Sequence, residues 1–429
     1  MGQAAEQLSP AMDVATAVRQ FYDRFPYPPP VHDLETYRRR WQDPQKRRAQ
    51  FHLFWPGRAY WDDQSILVAG CGTSQAAKQA LRWPQARVTG IDVSSTSVQC
   101  TRELKQKYNL QNLEVHELAL EQIGDLGRKF DQIICTGVLH HLADPGTGLR
   151  SLHSVLNPDG AIELMVYAPY GRTGVYMLQE FCRRVGIHAA DGEIRDLICA
   201  LRALPPGHPL QTLLSQAPDF RHEAALADAL LHPQDRAYSV PELFRLIGEA
   251  GLVFGRWVRQ APYCVHCGVL SRIPQAKRIE RLSPEDQYTA VELFRGTTVR
   301  HSVIVYDPES ANLKEQVRLR AGALPSDIPV RTADTICVQD PLPPGAAGVL
   351  INRSHTYTDL ILPINRRERM WLDAIDGVRS IVQIANLCAS RPSPKTDLDS
   401  ACSFFDRLWR YDQVVFDTSG TSNGMPLAE

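Results

Sequence analysis

Ile66-Leu67-Val68-Ala69-Gly70-Cys71-Gly72-Thr73-Ser74 is an apolar run that ends on two glycines one residue apart. A short unbroken apolar stretch bounded by glycine reads as a buried strand, and the glycines read as a turn into a helix. Glycine permits backbone angles and a close ligand approach that side chains would block, so this corner is where a doubly wound sheet meets a nucleoside. Twenty residues after Gly72, Asp92 closes the next run, Val88-Thr89-Gly90-Ile91-Asp92. A carboxylate there can accept both hydroxyls of a ribose. A helix N-cap is the competing role for Asp92, although Ser94 and Ser95 are available for that task.

Working outward, strands are expected at Ile66 to Ala69, Val88 to Asp92, Leu113 to His116, Phe130 to Cys135 and Ala161 to Tyr167, with helices between them. Alternation of this kind marks an α/β fold with a parallel sheet and helices on both faces. Val98 to Tyr108 supports the second helix, and Gly148 to Leu156 the one that stops at the turn signal Asn157-Pro158-Asp159-Gly160. A mostly helical insertion follows from about 174 to 236, then a helix at Pro241 to Ala250, a strand at Leu252 to Trp257 and a closing strand at His301 to Tyr306. An insertion of that size at the ligand edge is usually functional.

A pyrophosphate site wants Gly-x-Gly-x-x-Gly, and Gln75 stands where the last glycine belongs. A dinucleotide oxidoreductase using NAD is therefore the runner-up reading. The run resembles class I S-adenosylmethionine-dependent methyltransferases, with similarity over roughly Val14 to Tyr306. Phe130-Asp131-Gln132-Ile133-Ile134-Cys135-Thr136-Gly137-Val138-Leu139-His140-His141-Leu142 matches that family's fourth-strand signature, and Leu156-Asn157-Pro158-Asp159-Gly160 its approach to the fifth strand.

The resemblance implies a Rossmann-like seven-stranded sheet and S-adenosyl-L-methionine as cofactor. Gly70, Cys71 and Gly72 would form the loop, Gly70 and Gly72 facing the methionine part. Asp92 would hold the ribose, Val93 would lie along the adenine, and Leu118 and Ala119 would flank it. Thr136 and Gly137 match the floor beneath the sulfonium, with His140 and His141 on the following turn. The sequence departs from the family at Val68, where an acid is usual, and at Ser74, which replaces a frequent glycine. The resemblance leaves the methyl acceptor open, as a small molecule or a peptide or protein.

In-line methyl transfer needs alignment and exclusion of water more than a base, so no catalytic residue is assigned. Candidates for the acceptor side are His140, His141, Tyr167, Tyr170 and Arg172, with Tyr22 and Tyr27 from the amino-terminal arm. Tyr167-Ala168-Pro169-Tyr170-Gly171-Arg172 is the preferred substrate loop. Phe21-Tyr22-Asp23 and Phe25-Pro26-Tyr27 read as an aromatic lid able to stabilise a sulfonium by cation–π attraction.

Residues 1–62 read as a helical arm broken at Phe25-Pro26-Tyr27-Pro28-Pro29-Pro30. The expected division continues as 63–308 for the methyltransferase domain, 309–345 for a linker rich in proline and acids, and 346–429 for a small α+β domain. That last domain is read from an extended Leu360 to Leu362, helices at Arg367 to Ile375, Ile381 to Leu387 and Leu398 to Tyr411, and an extended Gln413 to Phe416. It weakly resembles winged-helix modules, including those that hold precursor peptides in PqqD-like systems. A partner-binding role and a plain packed core remain open for it, so a non-catalytic nucleoside-binding protein with a partner module is a third reading.

The chain has 429 residues, a net charge of -1 and 22% charged residues, so the overall balance offers nothing to a nucleic acid. The cluster Arg38, Arg39, Arg40, Lys46, Arg47 and Arg48 reads as a charged helix face over an apolar stripe. No apolar run approaches the length of about 20 residues that a membrane helix needs. Ten cysteines without framework spacing, and a polar stretch after Met1 in place of a secretion signal, point to the cytoplasm. Cys264-Val265-His266-Cys267 has metal or disulfide spacing but no second pair nearby, so no metal is expected there.

Overall fold

The computed structural model describes residues 10–216, 222–389 and 395–420. The stretch that begins at Met1, residues 217–221 of the insertion, and the carboxyl end of the small domain lie outside them. The strands of the main sheet are β1 (Ser65–Ala69), β2 (Arg87–Asp92), β3 (Leu113–Glu117), β4 (Phe130–Thr136), β5 (Leu156–Tyr167), β6 (Val253–Trp257) and β7 (Arg300–Tyr306), in the order β3-β2-β1-β4-β5-β7-β6. β1 pairs in parallel with β2 and with β4, Ile66 standing opposite Val88 on one side and Gln132 on the other. β6 and β7 are antiparallel, with Trp257 opposite Val303. In β1 the residues Ile66 to Ala69 are all buried, which explains an unbroken apolar run in place of an alternating one.

Helices of the arm are α1 (Pro10–Arg24), α2 (Glu35–Trp41) and α3 (Pro44–Phe54). Between the strands lie α4 (Gln75–Arg82), α5 (Ser95–Lys107) and α6 (Pro145–Ser154). The insertion supplies α7 (Thr173–Val185), α8 (Asp191–Arg202), α9 (Pro209–Gln216) and α10 (Glu223–Leu230), and α11 (Val240–Glu249) follows. Their starts are written locally. Ser94 caps α5 by accepting from the Ser97 N–H at 3.1 Å, and Asp144 caps α6 by accepting from the Thr147 N–H at 3.0 Å, with Pro145 in the first turn. Ser239 and Glu242 form a reciprocal capping box at α11.

The chain divides into two compact units, residues 1–38, 63–252 and 295–302 in one, and 39–62, 253–294 and 303–429 in the other. The first contains β1 to β5 and the helical insertion. In the second, β8 (Ile328–Arg331), β9 (Thr335–Val338), β10 (Gly348–Asn352), β11 (Leu362–Ile364) and β12 (Val414–Asp417) form two small sheets, β11-β10-β9 and β12-β8. Its core gathers Leu350, Ile364, Trp371, Ile384, Phe405 and Leu408. The helices Arg366–Asp373, Ile381–Leu387 and Lys395–Arg410 stand close to where periodicity places them.

Residues 309–345 are not the expected linker. They hold a helix, Ala311–Ala321, capped by Ser310 and burying Asn312, Gln316 and Leu319, and then β8 and β9. β8 is ordered by a partner some eighty residues away, Val330 pairing with Val415, and a pairing so remote leaves no local trace. The basic stretch behaves as a charged face: α3 buries Phe51, His52, Leu53 and Phe54 while Arg48 reaches the Asp417 carboxylate at 2.6 Å.

Burial pushes His52 down to about 4, against the pull of Asp417 3.4 Å from its Nε2 and with the help of Arg48. It is neutral near pH 7, so that contact is not an ion pair there. An unfolded histidine takes its proton near 6.5, so between about pH 6.5 and 4 the unfolded chain binds the extra proton. Stability should fall as pH drops through that window, by up to about 3 kcal/mol from this residue alone. Urea unfolding at neutral and acidic pH, with His52→Gln flattening the difference, checks this. An unchanged pH slope in the variant would count against it.

Candidate functional site

The strand order reverses between β1 and β4, and there the carboxyl ends of β1 to β5 open onto a cavity of about 620 Å³. Its lining residues all belong to the first unit. The Gly72 N–H donates to Asp92 Oδ2 at 2.8 Å and the Ser94 N–H to Oδ1 at 2.9 Å, while the Leu118 N–H donates to the Asp92 carbonyl at 2.9 Å. One residue thus ties together the turns after β1, β2 and β3. Burial pushes the Asp92 carboxyl up, and the Ser94 and Gly72 N–H groups oppose it. Each carboxylate oxygen has a second lone pair left for a ligand hydroxyl.

Gly70 has φ of 68°, and a Cβ there would stand 2.2 Å from Val138 Cγ2. Gly72 has φ of 53°, with the Tyr27 carbonyl 3.3 Å from where its Cβ would be. Both positions therefore need glycine.

The arm is pinned over the cavity by hydrogen bonds to the α5 start and to the turn after β1. Ser94 Oγ donates to Asp23 Oδ1 at 2.8 Å, the Thr96 N–H donates to the same oxygen at 3.3 Å, and Thr73 Oγ1 donates to the Pro28 carbonyl at 2.8 Å. A carboxylate at a helix N-terminus is also favoured by the helix dipole. Across the cavity, the Tyr22 and Tyr167 hydroxyls donate to the buried Asp228 carboxylate at 2.9 and 3.2 Å. Burial is the main cause that raises the Asp228 carboxyl, opposed by His141, Tyr22 and Arg172.

Residues 67–162, which run from β1 into β5, match the family described as "Methyltransferase domain". An uncharacterized protein of Synechococcus is 32% identical over 253 residues, covering 56% of this chain and 59% of its own length. Malonyl-[acyl-carrier protein] O-methyltransferase of Acetivibrio thermocellus is 29% identical over 120 residues, 28% of this chain and 41% of that protein. The chain thus spans only about half the length of these relatives. Among solved structures, PKMT2 from Rickettsia typhi in complex with AdoHcy has a TM-score of 0.61 at 13% identity, covering 91% of this chain and 77% of its own, which is a likeness of fold. Residues 67–162 carry a methyltransferase domain, and the fold around them is shared with PKMT2.

Within the methyltransferase domain, Gly70, Gly72, Asp92, Val93, Leu118, Ala119, Thr136, Gly137 and His141 all line the one cavity. Cys71 does not. It is buried beneath the turn, where its N–H donates to the Ile91 carbonyl at 2.8 Å and burial pushes its thiol well up. The N-cap that competes for Asp92 is filled by Ser94. Of the acceptor-side candidates, Tyr22, Tyr27, Tyr167 and His141 line the cavity. Tyr170 is exposed and Arg172 is buried behind the wall, its guanidinium 3.6 Å from the Tyr167 ring centroid. His140 is also buried behind it, its ring tilted against that of Tyr167 with the centroids 4.0 Å apart.

Asp228 and Arg300 line the cavity without having been singled out, and His232 and Asp235 lie just behind it. Asp228 did leave a signal. It is the lone acid in Ala224-Ala225-Leu226-Ala227-Asp228-Ala229-Leu230, an otherwise apolar run whose helix is almost wholly buried. A charge on such a surface needs partners, and here they are two tyrosine hydroxyls. His232 and Asp235 leave no comparable mark, because they sit in an irregular loop.

Cys264 and Cys267, in the second unit, are free thiols, and the other eight cysteines form no disulfide either. Among the described residues no helix is long and apolar enough to cross a membrane.

Proposed function

We propose that the chain transfers a methyl group from S-adenosylmethionine to a small-molecule or peptide acceptor held against Tyr22, Tyr27, Tyr167 and Asp228. The observation that carries this is the Gly72 N–H to Asp92 bond, which sets a side-chain-free turn beside a ribose-accepting carboxylate on one cavity wall. In this reading Gly70 and Gly72 face the methionine end and Asp92 accepts from the ribose. Val93, Leu118 and Ala119 enclose the adenine, and Thr136 and Gly137 lie under the sulfonium, with His141 on the turn that follows. The cofactor supplies a methyl group on sulfur that an acceptor lone pair can displace in line. The residues bind, orient and exclude water. Tyr22 and Tyr27, both on the cavity lining, supply aromatic rings that can stabilise the cationic centre.

Charge supports this ligand over a dinucleotide. Asp92, Glu121, Asp144 and Asp228 line the cavity against one guanidinium, Arg300, among the described residues. Four carboxylates favour a cationic sulfonium and disfavour a pyrophosphate. A cytoplasmic location belongs to the same reading and rests on cysteines that are all unpaired.

Titration calorimetry with S-adenosylmethionine and with NAD tests it. Binding of the first alone is expected, and tight NAD binding alone would overturn the proposal. Asp92→Ala should cost about 1–3 kcal/mol of cofactor affinity, roughly 5- to 150-fold in Kd. Unchanged affinity would remove Asp92 from the site.

A further inference from the structure

Around Tyr167 the first unit gathers five metal-competent side chains in two overlapping trios, His140, His141 and Asp235, and His141, Asp228 and His232. Within each trio the donor atoms lie within 4.8 Å of one another. Several of these donors have no protein partner. His140 is fully buried, yet neither of its ring nitrogens is hydrogen-bonded. Asp235 Oδ1 and His232 Nε2 are likewise unmatched, and the Asp235 side chain is only 3% exposed. Each unmet buried group costs about 1–3 kcal/mol, and native folds keep few of them unless something bound satisfies them.

The surrounding hydrogen bonds are those that orient metal ligands. His141 Nδ1–H donates to the Gln234 carbonyl at 2.7 Å, which leaves Nε2 as a bare acceptor. The other oxygen of Asp235, Oδ2, accepts from Gln179 at 3.0 Å and from Arg172 at 3.3 Å. His232 fits less well. Its Nδ1 accepts the Gln234 N–H at 3.1 Å, so its proton sits on Nε2 and that nitrogen cannot ligate. Asp228 is held by Tyr22 and Tyr167. The Arg172 guanidinium opposes a cation, and its nearest counter-charge is the Asp235 carboxylate at 3.3 Å.

We propose that His140, His141 and Asp235 bind one divalent transition-metal cation of the zinc class through two imidazoles and a carboxylate. Three protein ligands leave a fourth position open in the tetrahedral arrangement such ions adopt. His141 also lines the cavity, so the ion would border the proposed acceptor side. That last consequence rests on the methyltransferase reading, whereas metal binding does not.

The test uses the full chain after chelator treatment, titrated with zinc by calorimetry and with cobalt by visible absorption. One equivalent of zinc is expected, with cobalt d–d bands typical of nitrogen and oxygen ligands. His140→Ala and Asp235→Asn lie outside the cofactor wall and should each weaken zinc by about 10–100-fold or more. Their S-adenosylmethionine affinity and circular dichroism report separately on folding and on the cofactor reading. His140→Gln provides a milder variant should His140→Ala fail to fold. Cys264→Ser should leave zinc binding unchanged. The proposal fails if the wild-type chain binds no zinc at micromolar concentration, if binding survives the folded His140 and Asp235 variants, or if it is lost with Cys264. Zinc binding without cofactor binding would sink the methyltransferase reading and leave this one standing.

Discussion

A Gly70→Ala protein is expected to lose about 2–5 kcal/mol of stability, the sum of left-handed strain at an L-residue and an overpacked contact. Both terms follow from the backbone, with φ at 68° and the new methyl 2.2 Å from Val138 Cγ2. Val138 belongs to the turn after β4, so relief of the clash must move either that turn or the one after β1. Both border the cavity, since Gly70, Thr136, Gly137 and Val138 all line it. The same substitution should therefore weaken S-adenosylmethionine beyond what Asp92→Ala does. Chemical denaturation reads the first effect and calorimetry the second. A variant with wild-type midpoint and affinity would show that the turn is not held as described.

Asp412→Ala should be costlier still for the second unit. The carboxylate is 3% exposed, accepts from the Gln260 and Ala261 N–H groups at 3.1 and 2.9 Å, contacts His355 Nε2 at 3.0 Å, and lies 3.7 Å from the equally buried Arg256 guanidinium. Burial pushes the Asp412 carboxyl up, but His355, Arg256 and Arg259 outweigh it and hold the group below the usual carboxylate range. Removing it leaves a buried guanidinium without its counter-charge, a loss of about 3–5 kcal/mol. Asp412 also has φ of 57°, which alanine tolerates poorly and asparagine well. Asp412→Asn keeps the shape and one acceptor, so it should fall between wild type and alanine in urea midpoint. Equal midpoints for alanine and wild type would mean that Arg256 finds another partner.

His52 and Asp412 share a cause. An ionisable group out of water either loses its charge or collects partners, and which happens depends on what the fold brings near. His52 stays neutral beside a carboxylate that is already engaged by Arg48, and Asp412 stays charged because four donors converge on it. Neither outcome is visible in the residues that flank them.

The sequence by itself determined the elements whose signal is local. Runs such as Ile66 to Ala69 and Phe130 to Cys135 are apolar throughout because a parallel strand is covered on both faces, and the turn glycines are required by backbone angle alone. The spacing from Gly72 to Asp92 placed two strand ends side by side, and the 2.8 Å bond between them needs little beyond that register. Only the tertiary structure decided which side chains converge from far apart. Asp228 comes from the insertion to meet Tyr22 of the arm, a separation of 206 positions. His140 and His141 are neighbours in the chain, yet His141 lines the cavity while His140 is fully buried beside Tyr167. β8 likewise takes its partner from the far end of the second unit. Periodicity records which face of an element is covered, whereas the identity of what covers it is set by long-range packing, which no short window of sequence contains.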